Sequence, residues 1–140
     1  MEFKQLDDAH ILVRLDPKDE IISALLEVKK TVGWDIAAVQ GLGAVNRVVM
    51  GLYHVAEQKY ASNTFSDAYE MVSLTGTLDT MGKEPYAHLH IVIADGAGHA
   101  FGGHLNEAII SATAEIVLTR LNGKIDREKS PTVGLNIWKF

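Results

Sequence analysis

The chain has 140 residues, 47% of them hydrophobic, close to the usual size of one domain with its own apolar core. It has no cysteine, which excludes disulfides and thiolate metal sites and leaves His, Asp and Glu as the only side chains able to hold a metal. Its formal charge of −5 opposes binding to nucleic acid as a whole, and its 13 basic residues are scattered, the densest cluster being only Lys124, Arg127 and Lys129.

His10 to Leu15 (HILVRL) reads as a first strand. Asp16 then offers a helix cap, with Pro17 at the first helical position. Ile21, Ile22, Leu25, Leu26, Val28 and Val32 recur at helical spacing, and Gly33 stands where a C-terminal glycine stops the helix at about Val32. From Ile36 onward the pattern becomes β, with Gly41 and Gly43 permitting a bend or bulge between two apolar runs. Gln58 to Ser66 is polar and reads as a loop. Ala68 to Leu78 and His88 to Ala94 are strand candidates joined by the turn-rich Asp79 to Pro85. After the turn at Asp95 to His99, Ala100 to Leu105 reads as a return strand. Asn106 to Ile110 then reads as a short helical turn, and the following residues to Leu121 as a strand. Lys124 to Ser130 reads as a charged loop and Val133 to Phe140 as a closing strand.

Together these give an α/β domain of the α+β kind, residues 1–140: a mixed, largely antiparallel sheet of at least five strands, packed with one long and one short helix. No apolar run reaches the roughly 18 residues of a membrane-spanning helix, and the segment MEFKQLDDAH is too polar for a signal peptide. A cytoplasmic protein without a membrane partner is the expectation.

The residues that carry chemistry are histidines. Alternate residues of a strand share a face, so His88 and His90 project together while Leu89 and Ile91 face the other way. A symmetric hairpin centred on Ala97 sets His104 opposite His90. Three imidazoles converging from two strands form the ligand set of an open zinc site whose fourth position can take water or a small molecule. The same set also suits nickel, copper or iron. A bulge at Gly102-Gly103 would instead turn His104 to the opposite face and leave ordinary surface or hydrogen-bonded histidines. Glu70, interrupting an apolar strand, is a candidate proton-transfer residue, or else a member of an exposed alternating face. Arg14 is a candidate anion clamp, or else a snorkelling side chain. His10, His54 and His99 have no partner at ligand spacing.

Several segments, in order, resemble the plants-and-prokaryotes-conserved (PPC) domain over nearly the whole chain. They are Val13-Arg14-Leu15, Gly41-Leu42-Gly43-Ala44, Glu70 to Gly76 (EMVSLTG), His88-Leu89-His90, Gly102-Gly103-His104-Leu105 and Ala114-Glu115-Ile116-Val117. The resemblance implies a mixed α/β domain that assembles as a homotrimer with the histidines near a subunit interface. It also implies a link to DNA. Plant members carry an AT-hook, and stand-alone prokaryotic members are labelled as candidate DNA-binding proteins, whereas this chain has no hook. The fold is similar, too, to that of acetolactate decarboxylase, a zinc enzyme whose metal is held by an HxH pair and a later histidine. That similarity implies His88, His90 and His104 as ligands, with Glu70 and Arg14 as catalytic helpers. Two readings therefore compete: a DNA-associated regulatory module with a three-histidine metal site, and a zinc-dependent lyase acting on a small oxoacid-like ligand. In a third, the metal only staples a trimer. The sequence leaves open whether the chain is an enzyme.

Overall fold

The computed structural model describes residues 1–140. Its elements in chain order are β1 (Glu2–Gln5), β2 (His10–Leu15), α1 (Ile21–Val32), β3 (Ala37–His54), β4 (Lys59–Phe65), β5 (Tyr69–Met81), β6 (Glu84–Ala94), β7 (Ala100–Arg120), β8 (Asp126–Lys129) and β9 (Asn136–Lys139). The α+β class and the largely antiparallel sheet are as the sequence predicts, but there is one helix, not two. No helix is long and apolar enough to cross a membrane.

The sheet closes on itself. β3 pairs with both β5 and β7, β5 pairs with β6, and β6 pairs back to the start of β7. β1 and β2 extend this ring along β7, β4 adds to β3, and the β8–β9 hairpin joins β5 through a short parallel pairing. Alternation along the strands turns Leu89, Ile91 and Ile93 of β6 inward. They meet Leu74 and Leu78 of β5 and Ile110, Ile116 and Leu118 of β7 in one cluster of 25 buried residues. Helix α1 contributes Ile21, Ala24, Leu25 and Val28 to that cluster.

Where the structure departs from the sequence reading, local chemistry gives the reason. The helix starts at Ile21, not beside Pro17, and its cap is Glu20, whose carboxylate accepts from the Ile22 and Ser23 amides. Residues 18–19 are held in a turn against β7 by backbone bonds from Lys18 to Ile110 and from Ile110 to Asp19. The predicted helical turn at Asn106–Ile110 is part of β7. Its register on β3 slips between Val49 and Met50, leaving Asn106 as the extra residue of a bulge. Pairing with β3 outweighs the alanines' helix preference. Gln58–Ser66 and Lys124–Ser130, read as loops, contain β4 and β8. The turn between β5 and β6 is only Gly82-Lys83, both at positive φ, so the two strands run on to Met81 and from Glu84.

The β8–β9 hairpin is fastened by one buried ion pair. Asp79, fully buried, receives two hydrogen bonds of 2.7 Å from Arg127, one of 2.9 Å from the Trp138 indole and one of 3.1 Å from Thr77. Arg127 also donates to the Asn136 carbonyl and lies over the Tyr86 ring at 4.9 Å. Burial by itself pushes the Asp79 carboxyl up, but the hydrogen bonds from Arg127 and then Trp138 outweigh it and hold the group below the ordinary aspartate value. With the folded value below the unfolded one, the stability this pair contributes is complete above about pH 4 and is lost as pH falls through the folded value. Asp79→Ala strands a buried guanidinium, so it is expected to cost about 3–5 kcal/mol in urea unfolding and to remove this share of the acid sensitivity.

Candidate metal centre

The β6–β7 hairpin keeps an unbroken register from Ala94↔Ala100 to His90↔His104, so no bulge forms at Gly102-Gly103. His88 and His90, two residues apart, project from the outer face of β6, and His104 meets them from β7. The ring centroids are 5.3 to 5.5 Å apart, and one ligand atom from each residue lies within 4.8 Å of the others. Three imidazole nitrogens this close together match the histidine ligand sets of zinc sites, in which each nitrogen lies about 2.0–2.1 Å from the ion. The donor set therefore fits a divalent transition metal with a position left open.

Glycines let the strands approach closely here. A Cβ on Gly76, which has a φ of +152°, would lie 1.9 Å from the His88 carbonyl oxygen, and one on Gly51, opposite His104, would lie 1.9 Å from the Ala61 carbonyl oxygen. A side chain at Gly76 would force β5 away from β6, which carries His88 and His90, and one at Gly51 would force β4 away from β3, the strand on which His104 of β7 is registered.

Burial favours the neutral form of His88 and His104, which is the form that binds metal. His88 is held below the usual histidine value first by burial, then by the positive charge of Arg127 and by His90. His104 is lowered by burial, then by His88 and His90. The Tyr60 ring packs edge-on against His104 at 6.0 Å. Its hydroxyl lies 3.0 Å from the His104 carbonyl and 2.6 Å from Asn106 Oδ1.

The histidines form one end of a cavity of about 810 Å³, whose opposite wall is the β8–β9 hairpin with Arg127, Lys129 and Trp138. Glu70 and Arg14 lie outside it. Glu70 is exposed opposite Ala94, four residues from His90 and so about 13 Å along β6. Arg14 is exposed on β2 and paired with Glu2 at 3.0 Å and Asp16 at 3.1 Å. His10 and His99 bind Asp7 and Asp95, and His54 ends β3, so none of them joins the cluster. The sequence reading missed Tyr86, Asn106, Tyr60 and Trp138. Tyr86 was within reach, because the alternation that pairs His88 with His90 extends back to it. The others arrive on a bulge, an edge strand and a distant hairpin, which spacing does not reveal.

The profile of the Plants and Prokaryotes Conserved (PCC) domain, the family written PPC above, matches residues 4–122. The chain belongs to this family. Among solved structures, a protein from Bacteroides thetaiotaomicron described as a candidate DNA-binding protein is 29% identical. It superposes with a TM-score of 0.94 over 99% of this chain and 96% of its own. The PPC protein of Pyrococcus horikoshii is 25% identical, with a TM-score of 0.87 over 99% of this chain and 94% of its own. A protein from Archaeoglobus fulgidus described as metal-containing is 26% identical, with a TM-score of 0.86 over 100% and 99% of the two chains. The bifunctional protein GlmU of Synechococcus sp. (strain JA-3-3Ab) is 34% identical over 95 residues. These are 66% of this chain but only 14% of that much longer protein.

Proposed function

We propose that this chain is a PPC-domain regulatory module that binds one divalent transition metal, zinc in the first instance, through His88, His90 and His104. The observation that carries this reading is the convergence of three imidazoles, from two strands, within 4.8 Å. The metal-containing description of the Archaeoglobus relative supports it. Bound there, the metal supplies an open coordination position that a small molecule can occupy. The lyase reading is less favoured, because its proton transfer needs a carboxylate at the metal and neither Asp nor Glu lines the cavity.

The description of the Bacteroides relative supports a link to DNA, and we infer that it runs through a partner protein. The densest basic cluster in the sequence is broken up by folding: Arg127 is buried on Asp79 and Lys124 pairs at the surface with Asp35 at 3.6 Å, which leaves Lys129 as its one unpaired cation. Direct binding would need several free cations to release counterions from phosphates.

The homotrimer implied by the family resemblance has a surface to draw on. Phe3, Leu12, Leu42, Val72 and Val117 are exposed apolar side chains around one shallow groove on the outer sheet face.

Metal content measured on purified wild type should approach one ion per chain. His90→Ala should drop it close to zero while the far-ultraviolet circular dichroism is retained; full stoichiometry in the variant would overturn the assignment. Light scattering should give a mass near three times 15.3 kDa, and Leu42→Asp should shift it toward the monomer. Short duplexes should migrate unretarded beside the purified chain at physiological salt; sequence-selective retardation would refute the indirect route.

A further inference from the structure

The cavity beside the histidines has an unusual charge balance. The chain holds 18 acidic residues, yet none lines this cavity. The nearest buried carboxylate, Asp79, is fully committed to Arg127, Trp138 and Thr77. A divalent ion held by three neutral imidazoles would therefore keep its whole charge, with Lys129 at the rim adding another and taking part in no ion pair. Such a centre needs an anion from outside the protein.

The geometry points to a small organic monocarboxylate as that anion, and this inference rests on the metal assignment above. Its carboxylate would take the metal's open position in a cavity that Lys129 and Asn106 also line, and its apolar body would lie against Trp138, Tyr86 and Leu135 of the same lining. Phosphate fits less well. The only guanidinium at the cavity is spent on Asp79, so no bidentate fork is free. The N-terminus of the one helix, the other usual phosphate cradle, is capped by the Glu20 carboxylate. A single free ammonium and aromatic walls suit one negative charge on an apolar frame.

The test uses full-length protein loaded with Co(II), whose visible absorption reports its coordination, titrated in parallel with benzoate, acetate, inorganic phosphate and benzyl alcohol. Benzoate should perturb the cobalt bands saturably and bind more tightly than acetate or phosphate, while benzyl alcohol leaves them unchanged. Lys129→Gln, a change at an exposed side chain, should weaken benzoate about threefold to fivefold without altering cobalt stoichiometry. If cobalt binds one per chain but benzoate leaves its spectrum unchanged, or phosphate binds more tightly, the carboxylate inference is wrong and the metal site stands. If cobalt does not bind, both are wrong.

Discussion

The register of the β6–β7 hairpin, with His90 opposite His104, determines whether the molecule has a metal-capable site at all. Side chains alternate along a strand, so a slip of one residue would send His104 into the core face and Leu105 out to solvent. The core enforces the register from behind. Leu89, Ile91 and Ile93 are buried on the inner face of β6, and Leu105 is buried on β7, so any slip that scattered the histidines would also expose these apolar side chains. The hairpin is held a second time because both of its strands belong to a closed ring. β6 is fixed by β5, and β7 by β3. Hydrophobic burial on the inner face thus positions the three histidines on the outer one.

The Asp79–Arg127 pair extends this arrangement to the far wall of the cavity. A hairpin of two four-residue strands buries little on its own: most of β8 and β9 is exposed or half-buried. Its attachment rests on a bidentate ion pair whose lone pairs and protons are also satisfied by Trp138, Thr77 and the Asn136 carbonyl. Removing one partner of such a pair costs more than the pair contributes as a whole, because the other charge stays buried. Arg127 lies in the densest basic cluster of the sequence, where it looks available to a phosphate. In the fold it is internal wiring.

The elements legible in the sequence are those with one face in the core. HILVRL, the helix stopped by Gly33 and the histidine strand each carry an apolar period that burial enforces, and the hairpin count that paired His90 with His104 succeeded because the Asp95–His99 turn is symmetric. β1, β4 and β8 were illegible for the opposite reason. β1 and β4 are sheet edges and β8 is a four-residue strand between β5 and β9; all three have mostly exposed side chains, so the sheet's backbone hydrogen bonds specify them and no side-chain pattern does. The ambiguity over Asn106–Ile110 fell on a real irregularity, a bulge in β7 in place of a helical turn. The histidine end of the cavity could be read from one hairpin, whereas its other wall depends on a contact between residues 79 and 127 that no local signal announces.

The charge distribution ties these parts together. A chain of net charge −5 keeps every carboxylate off one cavity and neutralises the single buried one behind it, so a cation held there would meet no protein anion to offset its charge. The overall field disfavours a long polyanion such as DNA, which must approach a broad surface. A small anion that enters the cavity meets mainly the local charges, because the low-dielectric walls limit screening there. On the proposed metal assignment, the overall field and the occupied cavity would act on anions in opposite directions, and a regulatory role would then follow from whatever the occupied cavity does to the β8–β9 wall beside it.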